Sequence, residues 1–170
     1  MANPELDLLP FEALFRQGSA LLQRGLATEA QPLLERAYEL EPDDADIALN
    51  LSGAYILAGR FRKAVPILER LVEAAPNNPA AWLNLGAAYL GNPILARPAE
   101  QVRAIEAFER ALALNPAAPH AAYNIGLIYR DRSEIERAIH WFQQALRANP
   151  ADMDARRLLE RLAAPAAEEE

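Results

Sequence analysis

The sequence predicts an all-α fold in which four helical hairpins stack into an α-solenoid that one further helix closes. Four series of residues recur along the 170-residue chain in a single register. They are Pro42, Pro76, Pro116 and Pro150; Ala30, Ala64, Ala104 and Ala138; Gly18, Ser52, Gly86 and Gly126; and Leu21, Tyr55, Tyr89 and Tyr129. Neighbouring members lie 34 residues apart, and the one interval of 40 spans the same segment in every series. A fixed period of this length indicates repeated supersecondary units.

Each unit contains two apolar stripes with helical spacing. In the third unit the stripes are Trp82, Leu85 and Tyr89, followed by Ile105, Phe108 and Leu112. Apolar residues three or four positions apart give a helix one buried face, so each unit is predicted to contain two helices. Glycines such as Gly86 and Gly126 fill little core volume. We interpret them as positions where two helix axes approach closely.

The repeat register divides the chain into an N-terminal extension, four units, a capping helix and an acidic tail. Their ranges are 1–10, 11–44, 45–78, 79–118, 119–152, 153–164 and 165–170. The capping helix is predicted from an apolar stripe made by Ala155, Leu158, Leu159 and Leu162. A repeat array needs such an element to cover its last apolar face. The tail has too little apolar surface to pack, so we expect it to be disordered.

Several helix starts are predicted from capping residues. Asn78, which is followed by proline, is expected to cap the first helix of the third unit. Thr28 with Gln31, and Ser133 with Glu136, have the spacing of a capping box. These pairs are predicted to begin the second helices of the first and fourth units.

The third unit is six residues longer than the others, and the extra residues lie between Tyr89 and Ala104. We place the insertion in residues 91–98, at the tip of the hairpin. Pro98 suits the first position of a helix, so the insertion is predicted to be a short loop plus about one additional helical turn. We interpret it as a tolerated insertion, with a contact to a partner as the alternative.

The third unit also has a signature that resembles the tetratricopeptide repeat family. It reads Trp82-Leu83-Asn84-Leu85-Gly86-Ala87-Ala88-Tyr89, followed by Ala104, Phe108 and Pro116. The fourth unit matches less fully, and the first two depart further, with Gln17 and Leu71 at positions where the family usually has an apolar residue and an alanine. The resemblance implies a right-handed α-solenoid of four repeats and a capping helix. It also implies a concave groove, lined by the first helix of each hairpin, that binds other proteins.

Composition excludes several classes of function. The formal net charge of −7 and the isoelectric point near 5.0 disfavour nucleic acid and anionic membrane surfaces as partners. No apolar run approaches the ~18–20 residues of a membrane span, and the N-terminus does not resemble a secretion signal. We therefore expect a soluble, cytoplasmic protein. Cysteine is absent, which rules out disulfides and thiolate-bound metals.

The sequence provides few residues for catalysis. His120 and His140 are the only histidines, and no glycine-rich phosphate loop or metal-ligand spacing accompanies them. His120 begins a helix on the predicted groove face, where we favour contact with a partner or simple exposure over metal binding. The chain is therefore predicted to be no enzyme and to need no cofactor.

Three asparagines occupy one position in successive first helices: Asn50, Asn84 and Asn124. A carboxamide donates and accepts hydrogen bonds, so it can bind a peptide backbone whatever the peptide's side chains are. The ladder resembles that of the superhelical repeats attached to protein-modifying glycosyltransferases, and Arg16 takes its place in the first unit. Each amide contributes only about 0.5–1.5 kcal/mol, so affinity must come from apolar contacts.

The remaining groove candidates flank this ladder. Leu49, Leu83 and Tyr123 each precede an asparagine by one residue, and each has core packing as the alternative interpretation. Arg130 joins Arg16 as a cation expected to face inward, and His120 is the last candidate. Domains that clamp the acidic tails of chaperones are similar in fold but use more basic residues, so we do not expect that ligand.

The predicted function is a non-catalytic scaffold that binds an extended or short helical segment of a partner protein in the groove. The alternative is a self-assembling module that forms homo-oligomers. Leu6, Leu8 and Leu9 motivate this alternative, because such an apolar segment can lie in the groove of a second copy. Packing of these leucines on their own first hairpin is the interpretation that we prefer.

Overall fold

The computed structural model of the chain describes residues 6–92, 96–118 and 120–163. Within these residues a 3₁₀ turn at Leu6–Leu8 precedes nine α-helices, and there is no strand. The helices are α1 Phe11–Gln23, α2 Ala27–Leu40, α3 Ala45–Leu57, α4 Phe61–Ala74, α5 Pro79–Leu90, α6 Pro98–Leu114, α7 Ala121–Asp131, α8 Ile135–Ala148 and α9 Met153–Ala163. No helix in this described part is long and apolar enough to cross a bilayer.

The helices pair into four antiparallel hairpins, α1/α2, α3/α4, α5/α6 and α7/α8. The second helix of each hairpin packs against the first helix of the next, and α8 packs against α9 in the same way. The predicted all-α solenoid is confirmed. Hairpins that contact each other are consecutive in the sequence, as expected for a stack in which each repeat contacts the adjacent repeats.

The small residues of the repeat lie where the two helices of a hairpin touch. A Cβ added to Gly86 would lie 2.6 Å from Cδ1 of Phe108, and one added to Gly126 would lie 2.7 Å from Cε1 of Phe142. Both phenylalanine rings are completely buried. Because a side chain at either glycine would collide with a fixed ring, the close approach of these helices requires glycine.

Two tyrosines of the repeat link successive hairpins. The Tyr55 hydroxyl donates to Glu35 Oε1 at 2.5 Å, and the Tyr89 hydroxyl donates to Glu69 Oε1 at 2.7 Å. Arg103 Nη2 donates to the same Glu69 oxygen at 2.5 Å, and its guanidinium carbon lies 4.0 Å from the centroid of the Tyr89 ring. Burial and the Glu69 hydrogen bond raise the pKa of Tyr89 to about 12.

Two of the predicted helix starts are wrong. No capping box forms at Thr28, because α2 already begins at Ala27. Gln31 is instead a buried residue whose Nε2 donates to the Ala54 carbonyl at 3.2 Å. Gln31 therefore joins α2 to the next hairpin. Ser133 makes no capping bond, because it lies in the turn with a φ of 60° and α8 begins only at Ile135.

Ser133 occupies the place of two glycines in the repeat register. Gly25 and Gly59 end the first helices of the first two hairpins with φ values of 76° and 70°. The turn therefore needs a left-handed residue, which serine adopts at a cost in strain. By contrast the Asn78 cap is confirmed, since its Oδ1 accepts hydrogen bonds from the amides of Ala80 at 3.0 Å and Ala81 at 3.2 Å.

The helical part of the insertion follows the prediction, while residues 93–95 lie outside the described residues. Helix α6 begins at Pro98 and has 17 residues, against 14 in α2, α4 and α8. Arg132 links the additional turn to the fourth hairpin through two hydrogen bonds. Its Nε donates to Gln101 Oε1 at 2.8 Å, and its Nη2 donates to the Pro98 carbonyl at 3.2 Å.

The N-terminal leucines divide between two environments. Leu6 and Leu9 pack against the core of the first hairpin, which includes Leu14 and Leu33. Leu8 points away and is 85% exposed. Two of the three leucines thus pack on the chain's own first hairpin, which is the interpretation that we preferred. The predicted acidic tail at 165–170 lies outside the described residues.

Candidate partner-binding groove

The first helices of the first three hairpins contact one another directly. Helix α1 contacts α3, and α3 contacts α5, although the hairpins are joined through their second helices. At the crossing, a Cβ added to Gly53 would lie 3.9 Å from Leu22 Cδ2 and 4.0 Å from Asn84 Nδ2. We call the face of α1, α3, α5 and α7 that carries Arg16, Asn50, Asn84 and Asn124 the groove.

The three asparagines of the groove are half-buried, but they do not have the same partners. Asn50 Nδ2 donates to the Asp46 carbonyl of its own helix at 3.0 Å. The side-chain amides of Asn84 and Asn124 form no hydrogen bond with any described residue. Two carboxamides therefore keep their full capacity to donate and accept, and Asn50 keeps its oxygen.

The apolar candidates lie between the core and the groove. Leu49 and Leu83 are half-buried, and each packs against a buried cluster while retaining exposed surface. The Tyr123 ring is tilted by 56° against Phe142, with 5.8 Å between the ring centroids. The two interpretations of these residues are therefore compatible, because a half-buried side chain can support the core with one side and contact a ligand with the other.

The charged candidates differ in availability. Arg16 is exposed and forms no ion pair with a described residue, whereas Arg130 binds Asp131 Oδ1 through Nε at 2.8 Å and Nη2 at 2.6 Å. Desolvation raises the pKa of Tyr123, and the carboxylates of Asp154 and Asp152 raise it further. Two acidic side chains therefore lie near Tyr123 at this end of the groove, where Arg130 acts in the opposite direction.

The two histidines are separate. His120 is exposed at the start of α7, in a left-handed conformation with a φ of 59°. His140 is exposed on α8, where its ring lies 5.8 Å from that of Trp141. Across the described ranges, no three His, Cys, Asp or Glu side chains come together as a possible metal site. The described side chains of this face present amides, apolar surface and charge.

Sequence reasoning did not identify two cavities next to first-helix alanines. One of about 140 Å³ lies next to Ala122, His120 and Tyr123, and one of about 210 Å³ lies next to Ala48. A signal was present in the sequence, because both alanines occupy the repeat position at which the third unit has Trp82.

A stack of helical hairpins in which each repeat packs on the next defines a repeat protein of the interaction-scaffold class. Tetratricopeptide repeat models match residues 21–89 and 103–152. The chain belongs to the tetratricopeptide repeat family.

Solved structures share the fold over most of the chain. TTC0263, a thermophilic TPR protein of Thermus thermophilus, has a TM-score of 0.74 at 23% identity, covering 90% of this chain and 81% of that one. MamA from Desulfovibrio magneticus RS-1 has a TM-score of 0.72 at 23% identity, with coverages of 85% and 78%. MamA of MSR-1 reaches 28% identity at a TM-score of 0.70, with coverages of 85% and 79%. No protein with a curated function matches the chain.

Proposed function

We propose that this chain is a non-catalytic, cytoplasmic scaffold that holds a segment of a partner protein in the groove. One observation carries the proposal: the half-buried amides of Asn84 and Asn124 have no hydrogen-bonding partner among the described residues. Asparagine has a low helix propensity and caps nothing in the middle of a helix. A ligand backbone that bonds to both amides explains why this residue type recurs there.

The bound segment is extended or forms a short helix along the first helices. Its backbone exchanges hydrogen bonds with the carboxamides, and its apolar side chains contact the exposed sides of Leu49, Leu83 and Tyr123. Since each neutral hydrogen bond contributes about 0.5–1.5 kcal/mol, the amides set the position of the ligand. Apolar burial supplies the remainder of a micromolar affinity, about −8 kcal/mol.

Charge favours a neutral or basic segment. The chain carries a formal net charge of −7, and Asp152 and Asp154 lie near Tyr123. Because Arg130 is already paired with Asp131, Arg16 is the one arginine of the groove candidates that is available to a carboxylate. A strongly acidic ligand is therefore disfavoured at the α7 end.

The test is affinity capture with a matched control. The first variant combines Asn50→Ala, Asn84→Ala and Asn124→Ala. The control combines Asn77→Ala and Gln143→Ala, which remove exposed amides outside the first helices. We expect wild type and control to capture the same partners and the triple variant to lose them, while its melting temperature stays within a few degrees of wild type. Capture of the same partners by all three proteins would contradict binding through the ladder.

Self-assembly is the second candidate, and two exposed leucines favour it. Leu8 is 85% exposed and Leu57 is 66% exposed. Sedimentation equilibrium over a wide range of concentrations measures the mass directly, against 18.7 kDa for one chain. A scaffold for a partner stays at the monomer mass, whereas a self-assembling module gains mass that Leu8→Asp with Leu57→Asp removes.

A further inference from the structure

The side chain at the fourth position of a unit can fill the space between the first helix and the turn that precedes it. Trp82 is there in the third unit, and its Nε1 donates to the Pro76 carbonyl at 2.8 Å. One period after the fourth unit, Arg156 occupies the same register in α9, and its Nη2 donates to the Pro150 carbonyl at 2.6 Å. Pro76 and Pro150 occupy the same position of the repeat, so the two side chains bond to equivalent carbonyls.

The fourth unit has Ala122 at this position, whose methyl group is too short to reach the corresponding proline carbonyl. The preceding turn has the same backbone geometry as its counterpart, since Ala118 N donates to Asn115 O at 2.8 Å where Asn78 N donates to Ala75 O at 3.1 Å. The carbonyl of Pro116 therefore corresponds to that of Pro76. It accepts no hydrogen bond from any described residue.

A cavity of about 140 Å³ lies next to Ala122, between Ala117 and Ala118 of the preceding turn and the end of α8. We call it the Ala122 socket. It is lined by five alanines and four other residues: Ala117, Ala118, Ala122, Ala145, Ala148, His120, Tyr123, Asn149 and Asp152. Its volume is close to that of an engineered lysozyme cavity of about 150 Å³ that binds benzene. The space is therefore large enough for one planar side chain.

We propose that the Ala122 socket binds an arginine side chain of the partner. The arginine stem lies on the alanine methyl groups, and the guanidinium donates to the Pro116 carbonyl as Arg156 does to Pro150. Asp152 supplies the opposite charge in the lining, where it also helps to raise the pKa of Tyr123. A guanidinium has enough donors to bond to the carbonyl and the carboxylate together.

The cavity next to Ala48 is less suited to this ligand. Although it is larger, at about 210 Å³, Arg70 and Asp43 both line it and already form an ion pair with each other. An incoming arginine would have to displace Arg70 from Asp43. The structure thus favours the socket in the fourth unit.

The inference rests on the proposed function, because the arginine is taken to belong to the segment held in the groove. Tyr123 lines the socket and also precedes Asn124 on α7. An anchor in the socket is therefore continuous with the α7 end of the groove. Arginine next to an apolar or aromatic residue is the partner feature that this arrangement recognises.

The probe for the test is acetyl-arginine amide, titrated into the full chain while backbone amide resonances are recorded by NMR. We expect saturable shifts at Ala122, Ala145 and Asn149. Acetyl-citrulline amide, which has the same shape without the charge, should bind at least about tenfold more weakly, because hydrogen bonds to a charged group are stronger. The tryptophan and lysine amides should likewise bind more weakly than arginine.

Two variants locate the binding. Asp152→Asn keeps the oxygen that accepts from the amides of Asp154 and Ala155 at the start of α9, but removes the charge. It should weaken the arginine probe about tenfold, whereas Asp44→Asn, the same change at the cap of α3, should leave the shifts at Ala122 unchanged. Ala122→Trp reproduces Trp82 and should abolish them.

Equal binding of arginine and citrulline, or full binding by Asp152→Asn and Ala122→Trp, would overturn the assignment. The two proposals fail separately. Arginine binding in the socket with unchanged capture by the asparagine variant would contradict the groove alone. Loss of capture by that variant, without arginine binding, would contradict the socket alone.

Discussion

Replacing Gly86 by alanine tests whether the glycines of the repeat are required by a fixed aromatic ring. The added Cβ would lie 2.6, 2.7 and 2.9 Å from three carbons of the Phe108 ring, whose side chain is completely buried. Such overpacking costs about 1–3 kcal/mol. Against this, alanine stabilises the interior of a helix by up to about 1 kcal/mol relative to glycine. We therefore expect the free energy of unfolding to fall by up to about 2 kcal/mol.

Gly53→Ala is the matched control, because Gly53 is also in the middle of a first helix but has room around it. The nearest atoms to its added Cβ would be 3.9 and 4.0 Å away. Only the difference in helix propensity remains, so the free energy of unfolding of this variant should rise by up to about 1 kcal/mol. Urea unfolding, followed by circular dichroism, measures the two changes, and the predicted difference between the variants is the overpacking cost of about 1–3 kcal/mol.

A double-mutant cycle identifies the ring as the cause. Phe108→Leu together with Gly86→Ala approaches in the third hairpin the combination that the second hairpin uses, where Ser52 and Leu68 are both completely buried. In that background Gly86→Ala should be less destabilising by about 1 kcal/mol or more. Equal stability of Gly86→Ala and Gly53→Ala, or a coupling of zero, would refute the steric account of the glycine series.

Two further predictions concern the backbone and titration. Ser133→Gly should raise the free energy of unfolding by about 0.5–1 kcal/mol, since glycine adopts the φ of 60° without strain, and a thermal melt beside Ser133→Ala checks this. Tyr89, with its pKa raised from 10.0 to about 12, contributes stability that is complete below pH 10 and declines as the pH rises towards 12. Tyr89→Phe should therefore lose phenolate absorbance above pH 10, and a loss centred at pH 10 instead would contradict the half-buried contact with Glu69.

The fold was predictable because its determinants are local and repeated. Trp82, Leu85 and Tyr89 mark one helical face within eight residues, and the same pattern returns one period later. Even the insertion was predictable at Pro98, because a proline with no amide hydrogen suits the first turn of a helix. The fold class follows from this spacing alone.

The errors at Thr28 and Ser133 have a common origin. Both have side chains that cap helices in many proteins, and their spacing to Gln31 and Glu136 fits a capping box. The turn between the two helices imposed a different requirement. Ser133 has the left-handed backbone that Gly25 provides in the first hairpin, and Gln31 is buried against the next hairpin. Neither constraint is visible in a window of a few residues.

The sequence by itself determined the number of hairpins, their register and the positions where helices approach closely, because these depend on spacing along one helix and on side-chain size. Tertiary structure alone decided that Gln31 bonds to the Ala54 carbonyl, that Arg132 bonds to Gln101 and the Pro98 carbonyl, and where alanine at the Trp82 position leaves a cavity. Those properties depend on what a neighbouring helix or turn places within a few ångströms. That distance is set by packing between units, which no single repeat encodes.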